Sequence, residues 1–463
     1  MAQKQAAFLQ GSLMRHITVM ALTSTVGLMA VFLVDLADLI FISMLGRDEL
    51  AAAVGYSGAI LFFTASFGIG MAIAAGALVA RALGAGDEAL ARQRAATSLI
   101  FGFGFGLAFA ALVWAYISEL AAMLGASGET LHLATGYLQI IIPSLPILLL
   151  GVVGGAILRA HGDARRAMTA TVIGGVINAV LDPILIFGLD LELTGAALAS
   201  VVARVGIAVA SLWPIFRYHG GLERPSMRAF AVDFPGLSAI AGPAILTQLA
   251  TPIGQAYVTR AMAEYGEDAV AGMAIVGRLM PVAFAVIFAL SGAIGPVIGQ
   301  NYGAGKMGRV RRGFRAGIIF TGVVVVTVSI LLFLLRSPIG DLFNASGEAR
   351  RLIYLFCGPL ALLFFFNGVI FVSNAAFNNL GHPFYSTWVN WGRHTVGTIP
   401  FVIVCGWAWG APGVLIGQAL GGVVFGVFAW FLARRVMARG GRKRTVEPYA
   451  RQARLLGLFN FRR

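Results

Sequence analysis

Twelve apolar runs, each long enough to cross a bilayer, place most of this 463-residue chain in lipid rather than water. They fall at roughly 17–44, 51–80, 95–118, 134–158, 167–188, 194–216, 237–263, 269–299, 313–335, 352–378, 384–408 and 412–433. The runs are continuous rather than alternating, which excludes a β-barrel. They predict an all-α membrane protein with twelve transmembrane helices. Composition agrees, at 59% hydrophobic and 12% charged, where soluble domains carry about 25% charged residues. Cys357 and Cys405 both lie inside apolar runs, so neither a disulfide framework nor a metal site is expected. The polar start, MAQKQAAFLQGSLMRH, precedes a run too long for a signal-peptide core. Small residues at close spacing, as at Gly68, Gly70, Ala74 and Gly76, predict close helix packing. The GFGFG of 102–106 reads the same way, because no strand precedes it.

Loop charge sets an orientation. Taken alternately, one set of loops and both ends sum to +20, and the other set sums to −6. The intramembrane charges cancel, and the chain total is +14. Lys and Arg gather on the cytoplasmic side of membrane proteins, so both termini are expected there. The implied location is a bacterial plasma (inner) membrane. The basic tail is expected to rest on lipid headgroups, with no nucleic-acid partner.

Short matches recur at one shift. AlaSerGlyGlu stands at 126–129 and 345–348, and GlyAlaGly at 84–86 and 303–305. Gly162 pairs with Gly381 and Gly46 with Gly266. All four lie 219 or 220 residues apart, which predicts a duplication of six helices. Six is even, so the copies are parallel repeats about an axis along the membrane normal, with a substrate site between them. The expected divisions are a six-helix lobe at 1–218, a cytoplasmic linker at 219–236, a second lobe at 237–436 and a tail at 437–463.

The first run holds two carboxylates in VFLVDLADLIFISM, Asp35 and Asp38, three apart on one helix face. Acids inside a bilayer are expensive and mark function. The fifth run, TVIGGVINAVLDPILIFG, sets Asn178 and Asp182 four apart. Pro183 cannot donate to the Ala179 carbonyl, so a kink and a free acceptor are expected beside them. Asp38 and Asp182 each lie five or six residues from the outer end of their run, roughly 8–9 Å in depth. They are expected to face each other. Two such acids in low dielectric do not both ionise cheaply, which is the chemistry of a proton relay. The alternative pairs Asp182 with Arg204 in a structural kink. The second half lacks acids in its runs. It offers Arg278, Arg393, a Gln248/Thr251/Gln255 face, and Asn367, Asn374 and Asn378.

VDLADLIFISMLGRDELAA, INAVLDPILIFG and IGQNYGAG at 298–305 resemble the multidrug and toxic compound extrusion (MATE) transporters over nearly the whole chain. The resemblance implies two six-helix pseudo-symmetric bundles and no enzyme activity. It implies cation-coupled export of amphipathic, often cationic, drugs by alternating access. Asp38, Asp182 and Asn178 match the family's coupling residues, with Asp35 adjacent, and Ser200 stands near that cluster. Gln248, Thr251, Gln255, Asn374, Arg278 and Arg393 are candidates for lining a substrate cavity. No cofactor is expected beyond a coupling proton or sodium ion. The expected partners are small amphipathic substrates and membrane lipids, and the expected state is a monomer. Thr23 stands where members often carry a first-helix proline, and the absence of second-half acids favours the branch coupled through the N-lobe. Two other readings compete. A lipid or lipid-linked saccharide flippase would use Arg278 and Arg393 to meet phosphate. An intramembrane prenyl-diphosphate enzyme would use Asp35 and Asp38 on Mg²⁺, but the basic loops argue against it.

Overall fold

The computed structural model describes residues 6–224 and 226–440, so 441–463 of the expected basic tail lie outside it. The chain crosses twelve times as α1 (Leu13–Met44), α2 (Asp48–Gly84), α3 (Glu88–Ala115), α4 (Gly128–Ala160), α5 (Ala164–Gly188), α6 (Glu192–Tyr218), α7 (Met227–Ala263), α8 (Glu267–Ala283 and Ala285–Gly303), α9 (Met307–Leu342), α10 (Gly347–Leu380), α11 (Pro383–His394 and Ile399–Trp409) and α12 (Ala411–Ala438). A short helix, Ile117–Met123, joins α3 to α4. Among the described residues, 11 helices are long and apolar enough to cross a membrane. The broken α11 makes the twelfth crossing, because neither of its pieces spans alone.

Side-chain caps start the helices on one face. Ser12, Asp87, Asp163 and Ser226 accept from the backbone N–H three residues on, opening α1, α3, α5 and α7. Each such cap contributes about 1 kcal/mol. Burial alone would raise the Asp163 carboxyl, but hydrogen bonds from His219 and Arg166 outweigh it and hold it at about 2. The cap therefore stays ionised at any working pH. We call this side, where the basic loops lie, the basic face.

Three elements differ from the sequence expectation. The Ser226 cap starts α7 at Met227, ten residues earlier than the apolar run suggests, so much of the expected linker is helix. Asp233 is thereby buried within α7, where it accepts from Gln93 Nε2 at 3.0 Å and Thr97 Oγ1 at 3.3 Å. The eighth crossing breaks at Phe284, three residues after Pro281. The eleventh breaks between His394 and Ile399, before Pro400. Proline removes a helix N–H and disfavours the α conformation in the residue before it.

The duplication shows in the turns. Gly46 and Gly266, Gly128 and Gly347, and Gly162 and Gly381 all have positive φ, the last pair at 86° and 87°. Gly86 and Gly305 match likewise, at 79° and 70°. The recurring short sequences are thus left-handed turns, a conformation that favours glycine.

The halves exchange contacts symmetrically: α1 packs on the second piece of α8, and α7 packs on α2. Closest approach comes at the basic face. A Cβ on Gly84 would lie 2.0 Å from the Gln300 carbonyl oxygen, and one on Gly303 would lie 2.0 Å from that of Arg81. The IGQNYGAG stretch clamps the N-terminal strap there. Phe8 N–H donates to Gln300 Oε1 at 2.8 Å, Gln300 Nε2 donates to the Ala160 carbonyl at 2.8 Å, and Asn301 Nδ2 donates to the Phe8 carbonyl at 3.1 Å. Arg309 adds bonds to the carbonyls of Phe8, Gln10 and Gly11. Arg81 Nη2 to the Asn378 carbonyl, and Gln93 and Thr97 to Asp233, join the halves on the same side.

Candidate functional site

The two acids singled out in the sequence meet. Asp38 of α1 is in hydrogen-bond contact with Asp182 of α5. Asp182 is fully buried and Asp38 partly so. Asn178 Nδ2 donates to Asp182 Oδ2 from one helical turn earlier, as the i, i+4 spacing requires. Oδ1 of each acid is buried with no hydrogen-bond partner. Two carboxylates in contact need a proton or a small cation between them. Asp35 stands apart: it is exposed and near Asp38 but not bonded to it.

The backbone explains the placement. Beyond Pro183 the α-helix gives way to a π turn over Ile184–Gly188. That turn is pinned by α6, where a Cβ on Gly195 would lie 2.7 Å from the Leu185 carbonyl carbon. Only glycine permits so close an approach, and it fixes the level at which Asp182 sits. Arg204 does not pair with Asp182. It donates to the Ile141 carbonyl at 2.9 Å and to Ser144 Oγ at 2.8 Å, so the Asp182–Arg204 pair of the alternative reading does not form.

Tyr137 of α4 was not singled out from sequence. It lies beside Arg204, Asp38, Asp182 and Ser200. It therefore stands between Ser200 and the acid pair. Nothing in the sequence distinguishes it from a packing aromatic, except that α4 and α6 carry it and Ser200 to the same level.

The second-half candidates form a separate group. Gln255 Oε1 accepts from Gln418 Nε2 at 3.1 Å, while Gln248 is partly buried and Thr251 exposed. Asn374 is partly buried with its Oδ1 unpartnered. Arg278 is exposed, and no carboxylate among the described residues pairs with it. Arg393 is buried, bonded to Asn367 and to His394. Among the described residues, no hydrogen bond or ion pair joins this group to the acid pair.

A family model, MatE, matches twice, over 24–184 and 243–404. The two matches begin 219 residues apart, the shift of the internal repeat. This chain belongs to the MATE family. It is an integral membrane transporter and not an enzyme. It is 28% identical over 426 residues to a FAD transporter of Shewanella oneidensis, covering 90% of this chain and 93% of the relative. It is 26% identical over 334 residues to the multidrug export protein MepA of Staphylococcus aureus, covering 71% and 73% respectively. A crystallised MATE transporter variant from Vibrio cholerae superposes with a TM-score of 0.87 at 23% identity, over 92% of this chain and 97% of that one.

Proposed function

We propose that this MATE transporter is a proton-coupled antiporter that exports amphipathic small molecules across a bacterial inner membrane. The observation that carries the reading is the contact between the Asp38 and Asp182 carboxyl groups, whose Oδ1 atoms are buried without a donor. A proton needs no ligand cage to join two carboxyl groups. Sodium needs several fixed oxygens, and Asn178 spends its amide N–H on Asp182. The basic face is cytoplasmic, by the charge bias of its loops. On that orientation this structure is closed to the cytoplasm, and substrate leaves on the side away from the strap and the Gly84 and Gly303 contacts.

Protonation works by differential affinity. A ligand shifts a conformational equilibrium only as far as it prefers one state. The acid pair spans α1 and α5, so a proton that joins it favours the arrangement in which these helices touch. Losing the proton to the cytoplasm leaves two charges in contact, which pushes the helices apart. The Shewanella relative carries FAD and the Staphylococcus relative exports many drugs. Taken to this chain, they support large amphipathic aromatic compounds as the substrate class. The test is export by purified protein in liposomes. Export is expected under an imposed pH gradient without sodium. Export only under a sodium gradient at equal pH would overturn the proton reading.

A further inference from the structure

The second half holds a buried cation that no acid answers. Arg393 is the last residue but one of the first piece of α11, just before the break, and is 9% exposed. Its Nη1 donates to Asn367 Oδ1 on α10, and its Nη2 lies 2.6 Å from His394 Nε2. Since a guanidinium only donates, His394 Nε2 must be the acceptor, and the ring is neutral. Nε has no partner. Of five guanidinium N–H bonds, two are answered, both by neutral groups. No ion pair involves Arg393 among the described residues.

The surroundings hold this arrangement. Thr398 Oγ1 donates to the Arg393 carbonyl at 2.7 Å, so the break satisfies the backbone and leaves the guanidinium short of partners. His394 is pressed against α7, where a Cβ on Gly254 would lie 2.2 Å from Nδ1. By the repeat, Arg393 corresponds to Gly174 of α5, which is continuous helix there. The cluster thus has no counterpart in the first half. A guanidinium removed from water and matched only by neutral groups is unstable alone. Its planar fork suits the paired oxygens of a phosphate or carboxylate.

We propose that Arg393, with Asn367 and His394, is an anion site in the second half that takes a phosphate-type group, supplied by an amphipathic substrate or by a lipid headgroup. The substrate source rests on the export reading above, but the site itself does not. The two halves then divide the work. The acid pair of the first half takes the coupling cation, and the guanidinium of the second half takes the substrate's negative end. A phosphorylated amphiphile such as FAD is bound where its uncharged parent, riboflavin, has no grip.

The test is equilibrium binding to the full-length protein in phosphatidylcholine nanodiscs, with FAD, riboflavin and pyrophosphate as probes and no gradient. Arg393→Gln is expected to weaken FAD roughly ten- to a hundredfold, the worth of charge-assisted bonds. It should leave riboflavin unchanged, and Arg393→Lys should keep part of the loss from occurring. Pyrophosphate should raise the melting temperature of the native protein more than that of Arg393→Gln. If phosphatidylglycerol in the discs abolishes the Arg393 dependence of FAD binding, the lipid headgroup is the occupant. If no phosphate-bearing probe distinguishes Arg393→Gln from the native protein in phosphatidylcholine, the site is refuted. Equal loss of FAD and riboflavin would refute it too, as the sign of a merely structural role. Asp38→Asn should lose transport while FAD binding still depends on Arg393, so the two proposals fail separately.

Discussion

At the scale of single residues, Asp182 is the demanding case. It is fully buried, and its neighbours supply one N–H donor and one carboxyl group. Asp182→Asn and Asp38→Asn keep shape and polarity but remove the group that titrates. Each is expected to abolish gradient-driven export while the protein still inserts and folds. Normal drug export by either variant in cells would remove that residue from coupling. Tyr137→Phe deletes only the hydroxyl, beside Ser200 and the acid pair. A several-fold slower export is expected, with coupling retained. The acids stood out in the sequence because an ionisable group in an apolar run is costly. Tyr137 did not, since an aromatic in a bilayer helix looks the same whether it packs or bonds. His394 was missed because nothing in the sequence reveals the break that turns it toward Arg393. Arg278 was named beside Arg393 on equal terms. The structure separates them, with one exposed and the other buried and underbonded.

At the scale of elements, the decisive feature is the end of α5. Pro183 withholds an N–H from the Ala179 carbonyl, and the chain continues as a π turn held against Gly195. Such turns often mark functional positions in helices. Pro183→Ala restores the donor and lets the α-helix run on. The expected outcome is a protein at least as stable, because a helix interior proline is costly by roughly 3 kcal/mol. Its export should be several-fold slower, because the hinge beside Asp182 stiffens. Unchanged export with raised thermal stability would show that α5 does not bend in the cycle. The kink was readable from Asp182-Pro183, but the π turn was not, since it depends on the Gly195 backbone in another helix. The breaks in α8 and α11 were hidden by hydropathy. Pro281 and Pro400 were visible, but both sit in runs apolar enough to pass as continuous helices.

At the scale of the molecule, apolar run length revealed twelve crossings, and the shift of 219 revealed the duplication. Which face is closed was not readable, because it is an equilibrium between packings of the same helices. Orientation is checked by labelling from outside the cell in a background lacking Cys357 and Cys405. Leu189→Cys, 60% exposed, should react, and Arg312→Cys, exposed at the basic face, should not. The reverse pattern would invert the topology. The closed face itself makes the last prediction. Gly84 and Gly303 each lie against the opposite half's backbone, so a side chain there has no flexible neighbour to displace. Gly84→Leu must either distort α2 or part the halves. Overpacking of this kind costs about 1–3 kcal/mol. Applied only to the state closed at the basic face, that energy shifts the balance between states roughly five- to 150-fold toward opening. A reporter is Ala80→Cys, buried between the halves beside Gly299. In inside-out vesicles its labelling should be slow in the native background and faster by about that factor with Gly84→Leu. Gly104→Leu is the control, since nothing lies within 4 Å of its Cβ position. It should leave the reporter unchanged. Equal labelling in all three backgrounds would mean that the Gly84 and Gly303 contacts do not hold the basic face shut, and that the hydrogen bonds between the halves do so.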